Sequence, residues 1–269
     1  MILEFILGGA LVGFIVGATG VGGGSLMTPL LTLAFGIPAQ VAVGTDLLFA
    51  SITKMQGVVA HSRRGNVQWP LAGWLTAGSL PAAIATLVVL HAWAPNPAQF
   101  SALVRPALGG ALLLTSLGLI LKSHIQALGL RLHRARAPLP GVQVAAVDPV
   151  AARPLATIAL GVVIGVMVTL TSVGAGVIGV VALFFLYPTL AAKRLVAVDI
   201  AHAVPLTLVA GLGHAALGTV NWPVLGALLI GSLPAIWIGA LVADRLPEAT
   251  LRGFLAAMLM LIGARLALV

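Results

Sequence analysis

Gly17-Ala18-Thr19-Gly20-Val21-Gly22-Gly23-Gly24-Ser25 interrupts an apolar run that extends from Met1 to about Phe35. Five of those nine residues are glycine, and each costs about 1 kcal/mol in a helix relative to alanine. In hydrocarbon an unpaired backbone N–H or C=O costs several kcal/mol, so such a break persists only where protein walls a cavity. A new helix starting near Ser25 would turn free N–H groups and the positive end of its dipole toward the gap, which suits an anion. The stretch reads as a ligand site at membrane depth.

The rest of the chain agrees with that setting. Hydrophobic residues make up 60% and charged residues 7% of 269 positions, and mean hydropathy is +1.15. A soluble domain of this size would lack a polar surface. Long apolar runs recur from end to end, so the fold class is an all-α polytopic membrane protein embedded in a lipid bilayer. Glu4 is the only charge near the start, and neither a basic n-region nor an A-x-A site follows, so no cleaved signal peptide is read. Cysteine is absent, which removes disulfides and thiol chemistry. The net charge of +8 lies in loops between spans and reads as a topology signal rather than a nucleic-acid footprint. No G-x-x-x-x-G-K-[ST], H-E-x-x-H or G-x-S-x-G occurs, so no nucleotide, metal, nucleophile or cofactor is expected.

The chain repeats itself. Gly65-Asn66-Val67-Gln68-Trp69-Pro70 aligns with Gly218-Thr219-Val220-Asn221-Trp222-Pro223 at a shift of 153. The same shift pairs Gly78-Ser79-Leu80-Pro81-Ala82 with Gly231-Ser232-Leu233-Pro234-Ala235, His61 with His214, and Asp46 with Asp199. A shift of 152 pairs Thr19-Gly20-Val21-Gly22-Gly23-Gly24 with Thr171-Ser172-Val173-Gly174-Ala175-Gly176. Chance similarity between Leu/Ala/Gly-rich helices does not explain matched Trp, Pro, His and Asp. Transporters are commonly built from duplicated halves with a site between broken helices.

Each half reads as a broken pair (2–18 with 25–36; 155–172 with 177–188) followed by three spans: 40–61, 70–90 and 102–122, then 195–216, 222–242 and 250–268. The domains are a first transmembrane repeat (1–122), a basic linker (123–154) and a second repeat (155–269). Second limbs of ~12 residues reach ~18 Å, short of a ~30 Å core, so each pair is expected to be a re-entrant hairpin. That choice places eleven Lys/Arg inside and two outside, with Lys54 in the membrane; single crossings give eight against five. The positive-inside rule prefers the hairpins. The repeats are then inverted, both termini face outside, and the linker is cytoplasmic, with 128–136 as a short basic amphipathic helix on the inner leaflet.

Span 40–61 carries Thr45, Asp46, Thr53, Lys54 and Gln56. A charge at mid-span costs about 3 kcal/mol or more, so such residues face a polar interior. Asp46 and Lys54 are eight residues apart, ~12 Å along the helix and too far to pair directly. Lys54 is placed to meet Asp199 or a bound anion; Asp46 serves equally well as a helix-terminus or hydrogen-bonding group. His61, beside Arg63 and Arg64, reads as interfacial. Trp69-Pro70 and Trp222-Pro223 open their spans, and the Gly-Ser-Leu-Pro segments read first as close-packing sites. In the second half His202 near Asp199 is either a proton-handling pair or a buried, hydrogen-bonded structural histidine.

Gly17 to Ser25, Val43-Gly44-Thr45-Asp46-Leu47-Leu48 and Gly65 to Pro70 with Gly78 to Pro81 resemble the TauE/SafE family of membrane permeases, in both halves. The resemblance implies transport of sulfur-containing anions such as sulfite and organosulfonates.

The expectation is therefore a secondary transporter of small anions in the cell inner membrane. Thr19, Gly20, Gly22, Gly23, Gly24, Ser25, Thr45, Lys54, Thr171, Ser172, Gly174 and Gly176 form the substrate site. Asp46, Asp199 and His202 are the candidates to carry a coupling proton. Two other classes compete. An intramembrane lipid-phosphate enzyme wants deep arginines that this chain lacks, and a passive anion channel would ignore a proton gradient.

Overall fold

The computed structural model describes residues 2–19, 24–93, 97–135, 153–242 and 248–268. The described elements are helical: α1 (Ile2–Thr19), α2 (Gly24–Pro29, continued by a π-helical turn at Leu30–Ala34), α3 (Ala39–Arg63), α4 (Trp69–Trp93), α5 (Pro97–Ala135), α6 (Pro154–Thr171), α7 (Val177–Leu186), α8 (Ala192–Ala216), α9 (Trp222–Val242) and α10 (Glu248–Leu268). The first half is thus α1–α5 and the second α6–α10.

Both expected breaks fall between helices. Gly20 to Gly23 lie outside the described residues, and α1 ends just before them as α2 begins just after. In the second half α6 stops because Ser172 turns left-handed, with φ 57°. Gly174 (φ 131°) and Gly176 (φ 143°) then take conformations closed to L side chains, so this segment cannot propagate a helix. Thr171 Oγ1 accepts from Val173 N at 3.1 Å, which occupies one backbone donor of the turn. The second limbs are short: α7 has 10 residues, ~15 Å of helix.

The duplication is visible in the turns. After α3, Gly65 (φ 65°) donates to Ser62 O at 3.0 Å and Asn66 N to His61 O at 3.0 Å. After α8, Gly218 (φ 72°) donates to Ala215 O at 3.0 Å and Thr219 N to His214 O at 2.9 Å. A left-handed glycine just past a helix end satisfies the last carbonyls in this way.

Packing between the halves is reciprocal. α1 lies on α9 and α6 on α4; α3 faces α8, and α5 faces α10. Small residues allow the close approach. A side chain at Gly13 would run into the backbone at Ser232, and one at Gly165 into the backbone at Ser79. Gly231 meets Ile6 and Ala10, while Gly78 meets Ile158 and Val162. These are equivalent contacts at the shifts of 152 and 153, so the Gly-Ser-Leu-Pro segments are helix-packing elements, as small residues between membrane helices usually are.

Five described helices are long and apolar enough to cross a membrane: Trp69–Ala92, Gln99–Leu121, Pro154–Thr171, Ala192–Ala216 and Trp222–Val242. α3 matches α4 and α8 in length, at 25 residues. Its polar residues Thr45, Asp46, Ser51, Thr53 and Lys54 are covered by protein instead, and Ala42 to Ser51 are all buried. Trp69 and Trp222 open α4 and α9 and are exposed, as interfacial aromatics are.

One boundary differs from expectation. The apolar span Gln99–Leu121 agrees with the expected 102–122, but α5 continues without interruption to Ala135, so 128–135 is continuous with that helix instead of starting a separate one. No glycine–proline stop follows Leu121, and the Lys122–His124–Gln126 stretch is compatible with helix. Arg136 and the remainder of the linker to residue 152 fall outside the described residues.

Candidate functional site

α3 and α8 cross the interior side by side and bring the charged residues of the two halves together. Asp46, Lys54, Asp199 and His202 are all buried, with exposures of 0%, 6%, 1% and 0%. Each would be costly in apolar surroundings, so their partners decide what the cluster can do.

Asp46 is held by the second limb of the first pair. Thr28 Oγ1 donates to Asp46 Oδ2 at 2.5 Å, and Thr28 N donates to the same oxygen at 3.2 Å. Ser172, in the second break, lies beside Asp46. Its hydroxyl makes no hydrogen bond of normal geometry, and both Ser172 Oγ and Asp46 Oδ1 are buried without a partner. Elements of both broken pairs therefore converge on one carboxylate.

Asp199 holds the equivalent place in the second half. The Gly176 amide approaches its carboxylate, and a Cβ on Gly179 would collide with Oδ1, so glycine is required there. Asp199 Oδ1 is likewise buried and unpartnered. The start of α7 thus faces the chain's own carboxylate, whereas sequence reasoning expected its amides to be free for an incoming anion; in the first half the contact to Asp46 comes from Thr28, near the end of α2. An N–H beside a fixed carboxylate is already spoken for by charge.

Lys54 bridges the halves. Its Nζ donates to Ala175 O, in the second break, at 2.8 Å. The carboxylates of Asp199 and Asp46 are the charges acting on it. His202 follows Asp199 by one turn and lies within the field of Lys54. Neither ring nitrogen has a partner; the Asp199 backbone is close without a bond of normal geometry. Two carboxylates against one ammonium leave an excess negative charge in a buried place. A proton on the pair removes it.

The family named Sulfite exporter TauE/SafE matches residues 5–266. The chain belongs to this family. It is 34% identical over 266 residues, 99% of the chain and 100% of the relative, to "Probable membrane transporter protein YjnA" of Bacillus subtilis. It is 24% identical over 246 residues, 90% of each, to "Probable membrane transporter protein YdhB" of the same organism. A "Probable membrane transporter protein" of Xylella fastidiosa is 27% identical over 244 residues, 88% of the chain and 83% of the relative. No solved structure matches. This TauE/SafE chain is a multi-pass membrane transporter, and its relatives carry transporter names rather than enzyme names.

The expected site residues of this TauE/SafE protein separate into groups. Lys54, Asp46, Asp199, His202 and Ser172 are all buried, Lys54 meeting Ala175 O and Asp46 meeting Thr28. Gly174 and Gly176 shape the break that presents Ala175 O. Thr171 Oγ1 is engaged locally, donating to Met167 O at 2.7 Å. Thr45 Oγ1 accepts from Asn221 N at 3.0 Å and so joins α3 to the turn before α9. Thr19 and Gly24 end and begin helices, Ser25 lies in α2, and Gly20, Gly22 and Gly23 lie outside the described residues.

His214 is a structural group: Nε2 meets Thr169 O and Nδ1 meets Thr219 Oγ1, each at 2.9 Å. His61 is half-buried, with Nδ1 unpartnered. Among the described residues no three His, Asp or Glu converge as a metal site. An open groove of about 540 Å³ between α4 and α8, lined by Trp69, Thr76, Pro81 and Pro205 among others, is apolar and holds none of the charged residues.

Sequence reasoning missed Thr28 and Ala175. Thr28 is a polar residue on a short apolar limb, a signal open to being read. Ala175 acts through its carbonyl, which no side-chain pattern marks.

Proposed function

We propose that this TauE/SafE protein is a secondary transporter of small, sulfur-containing anions, sulfite or an organosulfonate, with sulfite the cargo that the family's name supports. The observation that carries the reading is Asp46, bonded to Thr28 of the first broken pair and flanked by Ser172 of the second break. A buried, charged junction between two duplicated halves is where a secondary transporter binds its cargo. Lys54 supplies the positive charge, and Ser172, Thr171 and the glycines of the break supply polar groups at close range. The substrate approaches as an anion, and the excess charge of Asp46 and Asp199 favours its entry together with a proton; His202 is the third proton carrier. Alternating access rocks one half against the other around this junction.

The reciprocal α1/α9 and α4/α6 packing and the Lys/Arg distribution support inverted repeats in the cell inner membrane, with both termini outside and the linker cytoplasmic. Cysteine-accessibility labelling of Arg265→Cys and Arg131→Cys in intact cells tests that orientation. The transport reading is tested in proteoliposomes loaded with radiolabelled sulfite or sulfoacetate. Expected is flux that an imposed proton gradient accelerates and that Lys54→Ala reduces at least tenfold. Flux indifferent to the gradient favours a passive channel. No flux of any small anion, with Lys54→Ala indistinguishable from wild type, ends the reading.

A further inference from the structure

The duplication gives the paired helices α3 and α8 two equivalent ends, and they are not built alike. At one end the turn between α8 and α9 is fastened on several sides. His214, fully buried, reaches α6 through Thr169 O and its own turn through Thr219 Oγ1, each at 2.9 Å. Asn221 N, at the end of the same turn, donates to Thr45 Oγ1 of α3 at 3.0 Å. Gly44, one residue earlier in α3, lets the turn close in, since a Cβ there would strike Thr219 O. The Phe100 ring of α5 lies edge-on to the imidazole, with centroids 5.9 Å apart.

At the other end stands the turn between α3 and α4. The shift of 153 that pairs Asp46 with Asp199 puts Val198 in the place of Thr45 and Ala197 in the place of Gly44. Valine offers no acceptor to the Gln68 amide, the counterpart of Asn221 N. Alanine carries the Cβ that the equivalent close approach forbids. His61, the counterpart of His214, is only half-buried, and its Nδ1 is unpartnered. α6 packs against α8, but among the described residues their counterparts α1 and α3 do not meet to a like extent. The groove between α4 and α8 begins at Trp69, the first residue of α4, and so opens beside this turn. Thr45 against Val198 and Gly44 against Ala197 are differences of sequence, so they persist through any rearrangement and bias it.

We infer that the two ends open unequally: the α8–α9 turn is a bolt that holds its end shut at rest, and the α3–α4 turn is the gate that moves first. The inference rests on alternating access as proposed above; in that orientation the bolted end faces outside and the gate faces the cytoplasm. Rocking one half against the other has to release the bolt as the gate closes, so the two turns respond with opposite sign.

The test is hydrogen exchange read by mass spectrometry as protection factors, on full-length protein in lipid nanodiscs without added anion. In wild type, 61–68 is expected to be protected at least tenfold less than 214–221. Thr45→Val leaves the Asn221 amide without its acceptor; it is expected to lower protection of 214–221 at least threefold and to raise that of 61–68. Gly44→Ala, which forces the turn off α3, is expected to do the same. Local fraying loosens 214–221 alone, so the opposite change at 61–68 is the mark of a gate. Ala197→Gly combined with Val198→Thr gives α8 the pair that α3 has, and is expected to raise protection of 61–68. Equal protection of the two turns in wild type overturns the inference, as does a loss confined to 214–221 in both single variants. If neither variant is monodisperse, the wild-type comparison decides. Absent flux beside the expected exchange pattern counts against the cargo and leaves the gate; equal protection beside normal flux removes the gate and leaves the transporter.

Discussion

Thr28 gives both its hydroxyl and its backbone N–H to one oxygen of Asp46, at 2.5 Å and 3.2 Å. The pair ties α3 to the second limb of the first broken pair, at a point where both residues are fully buried. A hydrogen bond to a charged group is worth about 1.5–3 kcal/mol, and leaving a buried acceptor short of a donor costs a similar amount.

Thr28→Val keeps the shape and removes the hydroxyl. It is expected to destabilise the protein by about 1–3 kcal/mol and to slow flux, while Thr28→Ser stays close to wild type. Thermal melts in detergent alongside proteoliposome uptake check this; equal melts for Val and Ser would remove Thr28 from the junction.

Asp199→Asn removes one of the two buried carboxylates of α3 and α8 and with it the excess negative charge over Lys54. Anion exchange is expected to continue, but accumulation driven by an imposed proton gradient is expected to fall at least tenfold. Parallel measurement of exchange and of gradient-driven uptake separates the two. If gradient-driven uptake persists, Asp199 carries no coupling proton.

Gly13 and Gly165 are equivalent contacts, each pressed against a neighbouring helix backbone. Gly13→Leu and Gly165→Leu overpack these interfaces at a cost of about 1–3 kcal/mol or more. Both are expected to lower the yield of monodisperse protein. Gly226, with nothing near its missing Cβ, tolerates alanine. Size-exclusion profiles of the three variants test the contrast.

His214→Ala strips the imidazole partner from Thr169 O, with an expected loss of about 1–3 kcal/mol for that orphaned group, while Thr219 Oγ1 keeps its bond to the residue 214 carbonyl. His202 has no such partners to orphan, so His202→Gln is expected to change flux far more than it changes the melting temperature. The reverse ranking would make His202 the structural histidine.

The glycine runs, the paired Trp-Pro and Gly-Ser-Leu-Pro segments and the apolar stretches announced most of the helices, because each rests on local backbone cost or on hydropathy. The continuity of 128–135 with α5 was not foreseen, since a basic surface stretch reads the same whether it continues a helix or starts one. Lys54 was read as buried from its charge alone, and it is buried. Its partner was not legible, because Ala175 lies 121 positions away and contributes only a carbonyl.

Composition and duplication alone determined that this is a helical membrane protein with two broken pairs and charges in its interior, since glycine, proline and buried charge have costs that hold in any surroundings. Only the tertiary structure decided what faces the breaks. Rotating a buried helix by one residue's turn changes nothing in its hydropathy and everything in what its side chains meet. α3 and α8 are oriented by packing across the halves, and that packing sets Asp46 against Thr28, Asp199 at the start of α7 and Lys54 against Ala175.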